Sequence, residues 1–311
     1  MKISVFTPTF NRAHTINRVY NSLLKQTVKD FEWIIVDDGS NDGTSKLVDN
    51  WIKEGLIPIT YIYQNNKGKF LTLRDTIYRV NSEWFLIADS DDEFVPETIQ
   101  TFLENYSAVP ENQKGKIVGV TGLVVDSQTN NIVGNTFPIP NGKNYLISSV
   151  NKITYKYGVS GEKWGILKTA ILKEYADKID IPDESVKYIG EQALWAPIGE
   201  KYLTVFINIP LRIYYQGSTD TLSTRNIAGR YPLGAWITER VVLPYIYQYF
   251  FYQPKKVAFS LVKLNYASFL AGKSFTETVS GFPFICKLLM FLTRPIGYIA
   301  KLKYPKERDV N

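Results

Sequence analysis

Short apolar runs, separated by polar turns and helically spaced stretches, fill the first ninety residues. Ile3–Phe6, Trp33–Val36, Ile59–Tyr63 and Trp84–Ala88 are rich in β-branched and aromatic residues and lack clean polar alternation. That pattern predicts strands covered on both faces, as in a parallel sheet. Between them, apolar positions recur with helical spacing: Ile16, Val19, Leu23 and Leu24, then Leu47, Val48, Trp51 and Ile52, then Phe70, Leu73, Ile77 and Val80. Right-handed crossovers would set the strands parallel with helices on both faces, which makes the class α/β. After the fourth strand, Pro96 suits the first position of a helix whose Ile99, Phe102, Leu103 and Tyr106 face inward.

Beyond Lys116 the pattern loosens. Ile117–Val125, Leu203–Ile207 and Leu211–Tyr215 read as strands, Asn130-Asn131 and Asn141-Gly142 as turns, and Gly190–Lys201 as a helix. From about Asn226 the chain reads as aromatic-rich helices. A boundary is expected near Gly217 to Arg225, giving a first domain of residues 1–217, itself divided near residue 110, and a helical region 218–311.

Composition narrows the function. A single cysteine, Cys286, excludes an intramolecular disulfide and a thiolate cage, and with His14 the only histidine a zinc site is disfavoured. The first apolar run is short and ends at Thr7-Pro8, so no secretory leader is expected and the expected location is the cytoplasm. The net charge of +6 would suggest nucleic acid if it were spread evenly. It is concentrated instead: from Gly281 onward six basic residues stand against two acidic ones, carrying +4 of the +6. Nucleic acid is therefore not an expected partner. In the same tail the apolar runs are broken by Lys287 and ended by Arg294-Pro295, too short to span a bilayer. Two readings of it stand side by side: an interfacial helix pair peripheral to the cytoplasmic face of a membrane, or a helix packed on the domain or on a second subunit.

Ligands of such sheets gather at the carboxyl ends of the strands, where Thr7–Arg12, Asp37–Ser40 and Asp89–Asp92 lie. Asp89, Asp91, Asp92 and Glu93 are four acids in five positions, which repel one another unless a cation offsets them. Clustered oxygen ligands suit Mg²⁺ or Mn²⁺, while an EF-hand fails because Phe94 stands where its loop needs glycine. A solvated acidic turn is the plain alternative. Asp37-Asp38-Gly39-Ser40 and the Lys67-Gly68-Lys69 stretch read equally as turn residues or as groups facing a ribose and a diphosphate. No GxGxxG or GxxxxGK[ST] loop is present, which argues against dinucleotide oxidoreductases and P-loop NTPases.

Taken in order, Thr7-Pro8-Thr9-Phe10-Asn11-Arg12, Val36-Asp37-Asp38-Gly39-Ser40 and the DxD-like Asp89-Ser90-Asp91-Asp92 resemble the motifs of family 2 glycosyltransferases with the GT-A fold. The resemblance implies a Rossmann-like sheet and an inverting, metal-dependent transfer from a nucleotide-sugar donor, UDP-linked above others. It implies a donor site of Pro8, Thr9, Asn11, Arg12, Asp38, Lys69, Asp89, Ser90 and Asp91, with Asp91 or Asp92 holding Mn²⁺ or Mg²⁺. Gly190-Glu191-Gln192-Ala193-Leu194-Trp195 is similar to the family's general-base motif, which makes Glu191 the candidate base, although a glutamate at a helix start is favoured by the dipole in any protein. Gly161-Glu162-Lys163-Trp164 is similar to a segment preceding the base; Glu162, Lys163, Trp164 and Trp195 are its candidate donor or acceptor contacts, against readings as a β-turn and as core tryptophans. The implied acceptor is a saccharide, free or lipid-linked. Two rivals remain: a sugar-phosphate nucleotidyltransferase, which would release pyrophosphate, and a non-catalytic nucleotide-binding or membrane scaffold.

Overall fold

The computed structural model of the protein describes residues 2–183, 185–215 and 226–306. The expected boundary from Gly217 to Arg225 lies outside the described residues. The chain divides into two units, and the division is not a single cut: segments Val150–Gly158 and Asp177–Glu200 group with the carboxyl-terminal helices rather than with the sheet.

The first unit is built on one nine-stranded sheet. Its strands are β1 (Ile3–Thr9), β2 (Phe31–Asp37), β3 (Ile59–Tyr63), β4 (Trp84–Ile87), β5 (Glu93–Phe94), β6 (Ile117–Asp126), β7 (Leu146–Ser148), β8 (Lys163–Lys168) and β9 (Leu203–Tyr214). They run in the order β3-β2-β1-β4-β8-β6-β9-β5, with β7 on β9. The four expected strands pair in parallel, with Thr9 opposite Asp37 and Phe6 opposite Ile87. This register brings the ends of β1, β2 and β4 to one edge. Beyond them β8 runs antiparallel to β4 and to β6, so the sheet is mixed on the far side.

Helices α1 (Asn17–Leu24), α2 (Thr44–Glu54), α3 (Lys69–Arg79) and α4 (Thr98–Ser107) follow the expected stripes, and a short α5 (Glu111–Lys114) and α6 (Thr169–Ala176) complete the unit. Pro96 sits in the turn before α4, which begins two residues later than its spacing predicts. Leu203–Ile207 and Leu211–Tyr215 belong to one long strand, β9, whose pairing with β6 is interrupted by register shifts and takes in Pro210. The irregularity explains why the sequence reads as two strands. Large buried side chains, among them Trp33, Trp84, Phe31 and Phe102, fill the space between sheet and helices.

The second unit is helical. It holds α7 (Gln192–Lys201, whose last residue counts with the sheet), α8 (Ile227–Arg230), α9 (Pro232–Ile246), α10 (Pro254–Leu270), α11 (Phe275–Thr278) and α12 (Phe284–Lys303). Pro232 opens α9, where a missing amide hydrogen costs nothing. Asn151 ties the inserted segments together, its Nδ2 donating to the Ala196 carbonyl at 2.9 Å. The stretch before α7 is held to α9 by a 2.8 Å hydrogen bond from the Gly190 amide to Thr238 Oγ1, and by Tyr188 stacked on Tyr231.

Candidate active site

Two turns at the sheet edge are stapled together. Asn11, in the left-handed region at φ 54°, donates its amide to Ser40 Oγ at 2.8 Å and accepts from the Asn41 amide at 2.9 Å. Asn tolerates that conformation because its short side chain bonds locally. Asp42 accepts the Ala13 amide at 2.9 Å and the Thr44 hydroxyl at 2.6 Å. Gly39 takes φ 93°, which a residue with a Cβ rarely adopts. Asn11 is thus occupied in building the rim, and the Arg12 carbonyl accepts the Thr15 and Ile16 amides at 3.0 Å as the chain turns into α1. Pro8 is half-buried within β1.

The paired aspartates have different partners. Asp37 accepts from the Ser40 amide and from Tyr61 Oη, both at 2.7 Å, and is fully buried. Asp38 gathers the loop before α3: its carboxylate accepts from Gln64 Nε2 at 2.9 Å and from the Lys67 and Gly68 amides at 2.8 Å. Beside it, Thr9 Oγ1 is buried and has no hydrogen-bond partner among the described residues. A buried hydroxyl left unpaired costs about 1–3 kcal/mol unless something arrives to bond it.

The acidic turn after β4 is the centre of the arrangement. Lys69, the first residue of α3, pairs with Asp89 at 2.7 Å. Arg212 on β9 pairs with Asp92 at 2.6 Å, and both are buried. The other Asp92 oxygen accepts the Asp89 amide at 3.0 Å. Although burial acts against it, the Lys69 ammonium and then the Arg212 guanidinium hold Asp89 below the usual carboxylate range. Burial drives Asp92 upward, against the pull of Arg212 and with Asp89 and Asp91 adding to the rise. Arg18 donates to the Asp91 carbonyl at 3.3 Å while its guanidinium sits 3.7 Å over the Tyr215 ring. Tyr215 in turn donates to Glu93. Ser90 is buried within the turn.

Asp92 has one oxygen on Arg212 and the other on the Asp89 amide, so both of its oxygens help to hold the turn. Asp91 differs: it is half-exposed, and among the described residues nothing hydrogen-bonds to or pairs with its carboxylate. Among the described residues no three His, Cys, Asp or Glu side chains form a metal cage. A donor set of one carboxylate fits Mg²⁺ or Mn²⁺ completed by phosphate oxygens and water, since these ions bind through one or two carboxylates plus substrate phosphate.

Of the two readings for Trp164, the structure matches the core one: it lies on β8, with its ring against Phe94 and Phe102 and Nε1 donating to the Ile87 carbonyl. Buried there, it has no face to offer a sugar. Lys163 spends its ammonium on the Val133, Ser160 and Glu162 carbonyls at 2.9–3.1 Å, and burial lowers its pKa. Glu162 is exposed, and its charge reaches Arg212 and Tyr214. In the helical unit, Glu191 directly precedes α7 and its carbonyl accepts the Leu194 and Trp195 amides; Glu191 and Trp195 are both half-buried.

Residues 4–151 match the sequence family described as Glycosyl transferase family 2. A poly(ribitol-phosphate) beta-N-acetylglucosaminyltransferase, TarP, of Staphylococcus aureus is 28% identical over 60% of this chain and 46% of its own. A GalNAc(5)-diNAcBac-PP-undecaprenol beta-1,3-glucosyltransferase of Campylobacter jejuni is 26% identical over 75% of this chain and 71% of its own. Among solved structures, residues 1–349 of S. aureus TarS in complex with UDP-GlcNAc superpose with a TM-score of 0.64 at 18% identity, over 97% of this chain and 88% of that one. The chain spans 35%, 36% and 46% of the lengths of three curated relatives it matches. The fold shared with TarS is GT-A, with its helical region after the sheet.

Proposed function

We propose that this chain, whose residues 4–151 belong to the family 2 glycosyltransferases, transfers a hexosyl or N-acetylhexosaminyl group from a UDP-sugar to a saccharide acceptor carried on a lipid, with inversion at the anomeric carbon. The observation that carries the reading is the charge arrangement of the Asp89–Asp92 turn. Three carboxylates meet there, two are neutralised by Lys69 and Arg212, and the third, on Asp91, is left to a ligand. The UDP-GlcNAc bound by the TarS structure and the polyprenol-linked substrate named for the Campylobacter enzyme support the donor and the acceptor class.

In this reading the base and ribose lie against the stapled turns, where Thr9 Oγ1 gains its missing hydrogen bond and Asp38 accepts from the nucleoside. Lys69, 2.7 Å from Asp89 at the start of α3, adds positive charge for the diphosphate. Asp91 holds Mn²⁺ or Mg²⁺, which when bound neutralises negative charge on the leaving diphosphate. Glu191 takes the proton from the acceptor hydroxyl as that oxygen forms the new glycosidic bond and the bond to the diphosphate breaks.

The test is a panel of UDP- and GDP-sugars with Mn²⁺ and lipid-linked or free saccharide acceptors, scored for nucleoside diphosphate release. UDP release from one donor is expected, reduced at least about a hundredfold in Asp91→Asn and in Glu191→Gln with unchanged thermal melting. Release of pyrophosphate from a nucleoside triphosphate would move the chain to the nucleotidyltransferases. Silence across the panel, with no thermal shift by UDP and Mn²⁺, would end the enzyme reading.

A further inference from the structure

We propose that the outward face of α12 is a docking surface for an anionic lipid bilayer. The helix is amphipathic in an inverted sense. Its inner face, Cys286, Met290, Thr293 and Gly297, follows i, i+4, i+7, i+11 spacing and packs on α10. Asn265 of α10 donates to the Met290 carbonyl at 3.0 Å and to Thr293 Oγ1 at 3.1 Å. At Gly297 the helices meet so closely that a Cβ would stand 2.5 Å from that of Asn265. The opposite face repeats the same spacing with Leu288, Leu292, Pro295, Ile299 and Leu302, and every one of these is exposed. Phe284 is 79% exposed and Leu302 66%, against 0% for Cys286 and Met290. An outer face so continuously apolar is a surface awaiting a partner.

Charge identifies the partner. Lys287 and Lys301 stand along one border of the apolar face, with Arg294 between them turned inward over the Phe269 and Phe275 rings, Lys303 stands on the other, and no acidic residue occurs between Pro283 and Lys306. Anionic headgroups complement such borders, while the apolar side chains enter the acyl boundary. A two-fold pairing of copies through this face would instead bring cationic borders together with no acid to offset them. Crossing the membrane is excluded for α12 by its cations and by its polar attachment to α10. Among the described residues no helix is long and apolar enough to do so. A helix of 20 residues, about 30 Å long, therefore lies along the surface.

The experiment is co-sedimentation of the full chain with phosphatidylcholine vesicles and with phosphatidylcholine–phosphatidylglycerol vesicles, a readout that needs no catalysis and so stands or falls apart from the transferase reading. Binding to the mixed vesicles is expected, weakening as salt rises. Phe291→Glu/Leu292→Glu should abolish it, and Lys287→Glu/Lys301→Glu should reduce it at least about tenfold on mixed vesicles. Both pairs should retain the wild-type far-UV circular dichroism. If the apolar pair fails to fold, Lys287→Ala/Lys301→Ala, which removes no apolar contact of the face, carries the test through its loss of preference for the anionic lipid. The proposal is overturned if the wild-type chain stays in the supernatant with both vesicles, or if the variants bind as the wild type does. A dimer that Phe291→Glu/Leu292→Glu converts to monomer, with no vesicle binding by the wild type, would assign the face to a second copy.

Discussion

Single side chains divide the work of the acidic turn, and Arg212 is the one the sequence concealed. It lies 120 positions from Asp92, inside the run Leu211-Arg212-Ile213 that reads only as strand, and nothing local marks it as a partner. The buried pair predicts an asymmetry. Arg212→Met should destabilise the chain in urea denaturation, because it leaves buried Asp92 without its partner, to stay buried only by taking up a proton. Arg212→Met/Asp92→Leu should recover most of that loss, and a double-mutant cycle measures the coupling directly. Equal destabilisation by the single and the double change would show that the pair does not stand as an isolated interaction. The acids themselves were legible, since a strand followed by four acids in five positions is a local signal. Their roles were not, because only the fold shows which oxygens are already taken. The same holds for Trp164, whose burial depends on Phe94 and Phe102.

Among the elements, the parallel strands and first three helices were readable because each buries a periodic apolar stripe, whereas β9 carries an irregularity and so resembled two strands. The α10–α12 crossing was hidden for a different reason: it depends on the absence of a side chain at Gly297. Alanine is the better helix former by about 1 kcal/mol, yet the new methyl would overlap Asn265. Overpacking of a close crossing costs about 1–3 kcal/mol, so Gly297→Ala should be neutral to destabilising rather than stabilising. Ile299→Ala, on the outer face of the same helix, should change stability by no more than about 0.5 kcal/mol. Chemical denaturation of the two variants side by side checks the contrast, and a loss above 2 kcal/mol at Ile299 would mean that its face is covered.

At the scale of the molecule, the lone cysteine reports on the helical unit. Burial pushes the Cys286 thiol up to about 12, so at pH 8 only about one thiol in ten thousand is ionised. Thiol reagents should therefore label the native chain negligibly at pH 8 and the urea-unfolded chain completely; prompt native labelling would show α12 detached from α10. The division at residue 217 expected from sequence misses that the chain passes to the helical unit and back for residues 150–158 and again for 177–200. A chain ending at residue 217 should accordingly lose Thr238, the partner of Gly190, and Tyr231, on which Tyr188 stacks, and show a lower melting temperature with rapid proteolysis near Glu191. This stitching bears on heredity as well as on stability. A recombination that exchanged only the last ninety residues would separate the segment bearing Glu191 from the helices it groups with, so inheritance of that unit is tied to remote stretches of the reading frame. Novelty on that side is then expected to arise by point substitution rather than by the shuffling of a contiguous cassette.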